Sequence, residues 1–503
     1  MDKQRNSLDN GKIGSLGERN NIETEDVIKE MESHKSFIDN KREQLKLNRV
    51  PEILKELLNE IETINFRKYC KLEKDSAKLQ KKHYLVTTVE TLLKTAKNKG
   101  FSLCRRNGVI YLFNSEYWES LGEESFKDFL SESALKAGVD KFNAKYHEFK
   151  DNLFKQFLAD ASLEKIKPNS GTTLINLRNG TFEITPKFRR LREFRESDFL
   201  TYQLPFVYDE EAEATRFQAF LNEILPETEL QDILAEYIGY IFIKNDAVKF
   251  EKVMFLYGTG SNGKSVIFDI ISALLGVQNI TNYSLQSLTG ENSKSRINIV
   301  GKLLNYSSEI SGNLNSAIFK QMATGEALEI PVLYKQSIIT TDYAKLMFNC
   351  NKLPKETENT HAFFRRFIIL PFRVTIPEDK QDKTLSHYII NNELSGVFNW
   401  VLRGLSRLIE NQNFTASKIV ENEVLQYQKE SDNILMFLEE EAYQPSTIER
   451  VNRTVIFQYY KQFCNENGNF PFSSTNFYKR LKSEGFKTQC SNGVRYIYIE
   501  TKS

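Results

Sequence analysis

Nothing in the 503-residue chain approaches the run of about 18 apolar residues that a membrane-spanning helix needs. The polar start, Met1-Asp2-Lys3-Gln4-Arg5, leads into no apolar segment of the kind that carries a signal peptide. The expectation is a cytoplasmic protein. Cysteine is scarce and scattered. Cys70, Cys104, Cys350, Cys464 and Cys490 contain no C-x-x-C pair, so no zinc or disulfide framework is legible and a reducing compartment suits them. The histidines, His34, His83, His147, His361 and His387, lack the i, i+4 spacing of a helical metal pair and read as ordinary surface or core residues. No D-x-D pair occurs in the first 170 residues. Excess charge of one sign is also missing. Lys and Arg number 68 against 67 Asp and Glu, so net charge argues neither for nor against a nucleic-acid partner.

What is present is a soluble-type composition, 40% hydrophobic and 27% charged, in a chain long enough for about three domains. Residues 1–25 are polar and glycine-dotted and are expected to be a disordered tail. Residues 26–165 read as a mostly helical domain. Pro51 opens one helix, with Ile53, Leu54, Leu57, Leu58, Ile61 and Ile64 along one stripe, and Val109–Phe113 interrupts as a strand. Such a stripe is a core face or an oligomer collar. Residues 166–245 form a flank, in which Leu174–Leu177, the Asn179-Gly180 turn and Thr181–Ile184 predict a hairpin. Helices are expected from Ala212 to Ile241.

The strongest signal lies in the next region, 246–435. The apolar run Val253–Tyr257 leads into Gly258-Thr259-Gly260-Ser261-Asn262-Gly263-Lys264-Ser265, and an apolar helix follows. Strand, G-x-x-x-x-G-K-S loop and helix together make a phosphate-binding loop for ATP, in which backbone N–H groups cradle phosphates at the positive helix end. Lys264 would reach the terminal phosphates, and the Ser265 hydroxyl would hold Mg²⁺. A second strand, Lys302–Ser307, runs to Glu309, an acid placed to activate the attacking water and to take part in the metal site. Its neighbour Ser308 cannot carry the second charge often used there. A third strand ends at Asn351, chosen over Asn349 because it sits at the tip, where an amide can hydrogen-bond water or phosphate. Arg365 and Arg366 open a fourth buried strand. One could stabilise a transition state across a subunit boundary while the other serves an internal ion pair.

In residues 436–503 two amphipathic helices precede two strands joined at Ser491-Asn492-Gly493. Helix, helix and hairpin read as a winged helix. Lys479, Arg480 and Lys482 on the second helix and Arg495 on the wing form a compact basic set suited to duplex DNA. Protein–protein winged helices and solvated lysine faces remain the alternatives.

The succession G-T-G-S-N-G-K-S, L-L-N-Y-S-S-E, F-N-C-N-K-L-P and F-F-R-R-F-I-I-L-P-F resembles the superfamily 3 helicases, in particular the phage, plasmid and poxvirus helicase-primase family. The Asn179-Gly180-Thr181-Phe182 turn, Leu204–Asp209 and Glu236–Tyr240 resemble that family's flank, so the likeness spans about residues 170–500. Within the family, the self-loading helicases of staphylococcal mobile elements are the most similar. The resemblance implies an α/β fold with an AAA+-like ATPase core, working as a ring, expected to be a hexamer, and moving 3′ to 5′ on single-stranded DNA. It also implies that Lys264 and Ser265 are Walker A residues, Glu309 the Walker B glutamate, Asn351 the sensor and Arg365/Arg366 the arginine-finger position. A DNA-tracking hairpin falls between Thr324 and Ile339, with Lys335 either a phosphate contact or a solvated loop lysine. The expected protein is thus an ATP- and Mg²⁺-dependent replicative helicase of a mobile element or phage. The alternative is an origin-binding initiator that uses ATP to assemble. A small-molecule P-loop kinase would explain neither the arginine pair nor the C-terminal module. The N-terminal helices are open to a collar role or to docking a separate primase or polymerase.

Overall fold

The computed structural model describes residues 49–72, 78–106, 108–163, 171–245, 247–308, 310, 314–332, 337–354, 360–467 and 471–502. The expected tail over 1–25, Glu309 and Lys335 lie outside these residues. The chain divides into two compact units, Met1–Lys165 and Ile166–Ser503.

In the first unit, helices α1 (Val50–Glu60), α2 (Phe66–Tyr69) and α3 (Lys81–Asn98) lead to an antiparallel sheet of β1 (Ser102–Arg106), β2 (Val109–Phe113) and β3 (Trp118–Leu121). Helices α4 (Glu123–Lys136), α5 (Lys141–Lys145) and α6 (His147–Asp160) follow. The α1 stripe is core. Ile53, Leu57 and Ile61 are buried in one cluster with Leu92 of α3 and Phe126 of α4, and Leu54, Leu58 and Ile64 pack against it. Only β2 was legible among the three strands. Its partners are short and polar, SLCRR and WESL, and carry no apolar alternation.

The second unit opens with a three-stranded antiparallel sheet, β4 (Thr173–Leu177), β5 (Gly180–Ile184) and β6 (Arg189–Arg192). The hairpin turns at Asn179-Gly180 as its sequence dictates. The Asn179 side chain also accepts from Tyr208 N (2.9 Å) and donates to Tyr208 O (2.8 Å), fastening the turn to the flank. Helices α7 (Thr215–Ile224) and α8 (Thr228–Tyr240) lead into β7 (Val253–Tyr257) and α9 (Lys264–Leu275). Then come β8 (Ile280–Thr281), α10 (Leu285–Thr289), β9 (Leu304–Ser307) and α11 (Ser316–Thr324). A small hairpin, β10 (Leu328–Ile330) and β11 (Ile338–Thr340), precedes β12 (Lys345–Cys350), α12 (His361–Phe364) and β13 (Phe367–Pro371). Helices α13 (Leu385–Asn392), α14 (Leu394–Asn411) and α15 (Lys418–Glu430) close this part.

Strands β13, β7, β12, β9 and β8 lie side by side in that order, and every neighbouring pair is parallel. A parallel sheet is covered on both faces, which is why its strands are unbroken apolar runs. Helix α9 buries Ile267, Ile270, Ile271, Leu274 and Leu275, one helical face. Helices α8 and α14 cross so closely that a Cβ on Gly404 would stand 2.5 Å from the Ala235 carbonyl carbon. Glu236, fully buried at that crossing, accepts from Arg407 Nε (2.6 Å), Thr415 Oγ1 (2.6 Å) and Thr415 N (2.8 Å). The Glu236 motif segment is therefore a structural tie between helices.

The last module runs α16 (Asn433–Glu440), β14 (Tyr443–Asn452), α17 (Arg453–Glu466), α18 (Ser474–Ser483), β15 (Thr488–Ser491) and β16 (Val494–Thr501). Strand β16 lies between β14 and β15 in an antiparallel sheet. Phe437, Tyr460, Phe477 and Leu481 join Ile497 in its core.

Candidate functional site

Ligands of open parallel sheets bind outside the carboxyl ends of the strands, where the chain changes direction across the sheet. Here β7 is flanked by β12 on one side and β13 on the other, and a cleft of about 1060 Å³ opens at that edge. Its lining combines the glycine-rich loop from Gly260 to Ser265, the strand tips Ser308, Asn349, Cys350 and Asn351, and the segment from Ile376 to Leu385. Phe220 and Glu223 of α7 also line it, as does Lys352.

The loop's form follows from its residues. Gly263 has φ +80° at the N-terminus of α9, and a Cβ there would meet Ile224 at 2.8 Å and Phe220 at 2.9 Å, so the position needs glycine twice over. Ser261 is also left-handed, at φ +58°. Asn262 is buried, and its Nδ2 donates to the Thr259 carbonyl and, at 3.3 Å, to the Phe372 carbonyl. Ile376 N donates to Ser261 O at 2.8 Å, so the loop is tied to the chain leaving β13.

Lys264 is buried, with 7% of its surface exposed. Its ammonium donates to Gly258 O (2.6 Å), Thr259 O (3.1 Å) and Asn262 Oδ1 (3.0 Å). Burial holds its pKa below the usual lysine range. A desolvated ammonium held by neutral oxygens, at a helix N-terminus, is a donor set suited to an anion. Ser265 is exposed in the same cleft.

Asn349 and Asn351 both line the cleft. Asn351 is exposed, whereas Asn349 is buried and its Oδ1 accepts from Tyr306 Oη at 2.9 Å. Strand-tip position pointed to Asn351. The Tyr306 bond joins residues 43 positions apart and had no signature in the sequence. Beside them, burial pushes the Cys350 thiol up to about 12.

Arg365 and Arg366 are not in the cleft. Val253 N donates to Arg366 O at 2.8 Å, so the pair enters where β7 begins, whereas the loop leaves where β7 ends. Along a five-residue strand that is roughly 13 Å of rise. Arg366 is buried, donates to Thr324 Oγ1 from Nε (3.2 Å) and Nη2 (2.9 Å), and bonds the Ala362 carbonyl. Arg365 is half exposed and pairs with Glu251 at 2.5 Å.

On the C-terminal module, Lys479, Lys482 and Arg495 are exposed. Arg480 does not join that set. Its guanidinium turns inward to Asp432 (2.8 Å) and Glu484 (2.7 Å), where Asp432 also caps α16. Two arginines that the sequence did not single out lie over aromatic rings, Arg453 on Tyr478 (3.6 Å) and Arg450 on Tyr496 (4.5 Å). At the base of the β10–β11 hairpin Glu329 faces Ile339, which is 75% exposed. Among the described residues no group of three His, Cys, Asp or Glu could hold a metal ion, and no helix is long and apolar enough to cross a membrane.

Three family models match the chain. Residues 77–226 match one described as D5 N terminal like, residues 429–500 one described as poxvirus D5 protein-like, and residues 256–366 a family of unknown function (DUF5906). No curated protein matches. Among solved structures, the chain is similar to an A-form apo structure of the NrS-1 C-terminal region, with 12% identity and a TM-score of 0.46, covering 81% of this chain and 98% of that one. A second apo structure of that region gives 12% identity and 0.45, covering 83% and 99%. The two D5-like matches lie before and after the parallel-sheet segment in the sequence and are likenesses to D5-type proteins.

Proposed function

We propose that this protein is an ATP-dependent replicative DNA helicase, ring-forming and 3′ to 5′, that starts replication of a phage or mobile element, of the self-loading staphylococcal kind. The observation that carries the reading is the cleft itself. A glycine loop with a buried lysine and an exposed serine faces two asparagine strand tips at the carboxyl edge of a parallel sheet. That donor set suits a nucleoside triphosphate, and the cleft is at the upper end of volumes usual for small-ligand sites.

In this reading Lys264 exchanges its carbonyl partners for phosphate oxygens, and the Ser265 hydroxyl holds Mg²⁺ together with Glu309. Mg²⁺ bound there would neutralise charge on the phosphates. Glu309 activates water, and Asn351, with Asn349 behind it, hydrogen-bonds the water or the phosphate. An arginine of the 365–366 pair serves the neighbouring subunit's cleft in a ring of six. Lys335 follows the DNA backbone from the β10–β11 hairpin.

Helix–strand–helix–helix–hairpin order supports a winged helix, whose exposed Lys479, Lys482 and Arg495 would meet duplex phosphates. That surface favours a second reading, an origin-binding initiator whose ATP site drives assembly. One experiment separates them: unwinding of a forked duplex with a single 3′ tail, with ATP and Mg²⁺, against Lys264→Ala. Unwinding by the wild type alone supports the helicase. Hydrolysis and duplex binding without unwinding on either tail transfers the conclusion to the initiator.

A further inference from the structure

The two adjacent arginines have opposite surroundings. Arg366 is 8% exposed and bonded to Thr324, to Ala362 and, at 3.5 Å, to Glu251. Thr324 in turn donates to Lys320 O at 2.7 Å, so the buried end of the network is closed. Withdrawing Arg366 would take away both donors that the Thr324 oxygen accepts from at the end of α11. The Arg365 side chain is 48% exposed and spends only Nη2 on Glu251; its Nε and Nη1 have no partner among the described residues. Its backbone is fixed all the same, because Lys252 Nζ donates to Arg365 O at 2.6 Å.

Glu251 is itself specially held. Its φ of +56° lies in the left-handed region, where a non-glycine residue is strained and persists only if its surroundings demand it. One carboxylate oxygen, Oε2, faces both guanidinium groups. A carboxylate anchored through a buried arginine can hold a neighbouring exposed arginine in one direction while leaving its other donors available.

We propose that Arg365 is the arginine that acts on a neighbouring subunit's nucleotide, that Glu251 is its positioning carboxylate, and that Arg366 is the buried strut fixing both. This rests on the ATPase reading above. A finger must present unpaired donors and reach outward, and it gains from being aimed beforehand. Arg365 alone meets the first condition, and Glu251 supplies the second. Glu251 acts only through Arg365 and touches no nucleotide.

The test is steady-state ATP hydrolysis by the full-length protein with Mg²⁺ and single-stranded DNA, for Arg365→Ala, Arg366→Lys, Glu251→Gln and Lys264→Ala, alone and in pairwise mixtures. Arg365→Ala should lose about a thousandfold in kcat with KM little changed. Glu251→Gln should lose about tenfold in kcat, again at constant KM, a split that a merely structural role would not give. Mixing either variant with Lys264→Ala should restore activity, because the mixed interface joins an intact cleft to a correctly aimed Arg365. Arg366→Lys, which keeps a buried cation, should lower the melting temperature more than kcat. Complementation by an Arg366 variant and not by Arg365→Ala would overturn the assignment. Unchanged or raised kcat in Glu251→Gln would overturn the positioning role. Absence of ATP hydrolysis in the wild type would remove the ATPase reading itself and is read independently of the arginines.

Discussion

The two ends of strand β7 handle positive charge in contrasting ways. At the carboxyl end Lys264 rests on neutral oxygens, two backbone carbonyls and an amide. At the amino end Arg365 and Arg366 rest on the carboxylate of Glu251. A buried ammonium on carbonyls has weak, exchangeable partners and a raised free energy, so an arriving anion wins it easily. A guanidinium on a carboxylate has a charged and directional partner and keeps its geometry. One end is built for exchange and the other for placement.

The largest expected effect breaks the exchanging end. Lys264→Ala should leave no measurable phosphate release from ATP at any nucleotide concentration, while the melting temperature stays near wild type. A normal rate would mean that the ammonium has no part in turnover. The placing end should respond in stability. Arg366→Ala removes the donors to Thr324 and Ala362 and should destabilise by about 3 kcal/mol in a denaturant titration. Arg365→Ala deletes a half-exposed pair and should change stability by less than about 1 kcal/mol. Equal losses would erase the distinction between strut and finger.

A smaller effect is expected on the C-terminal module, where Lys479 and Lys482 are exposed. Lys479→Ala with Lys482→Ala should weaken duplex binding and lower the salt slope of log K by about 2, as for two lost phosphate contacts. Arg480→Ala, by contrast, should act on folding through Asp432 and Glu484. The smallest concerns reactivity at the cleft. With its thiol pushed up to about 12, Cys350 should resist iodoacetamide at pH 8, whereas exposed Cys490 is alkylated first. Mass spectrometry of the digested protein reads this directly.

The contrast between the two ends also marks what could be read beforehand. The loop was legible because eight consecutive residues carry it, and local backbone geometry there demands glycine at Gly263. The hairpin at Asn179-Gly180 and the α1 stripe were legible for the same reason, turn chemistry and helical periodicity being local. In the sequence Arg480 reads as one of three like cations within four residues, and only the fold shows its pairing with Asp432, 48 positions away. Glu251 was invisible beside Arg365, 114 positions away in the sequence. Asn349 was set aside for Asn351, since only the fold shows Tyr306 behind it.

By itself, then, the sequence determined the strand–loop–helix unit, the order of buried strands after it, the helical stripe of the first unit and the closing helix–helix–hairpin. All of these rest on interactions among residues close in the chain, where spacing is geometry. The tertiary structure alone decided the lateral order of the five parallel strands, and with it which tips share the cleft. It also decided which of two adjacent arginines is buried and which cation of a basic set is already paired. Those outcomes depend on contacts between distant segments, and burial and ion pairing are properties of the packed surroundings rather than of the residues that enter them.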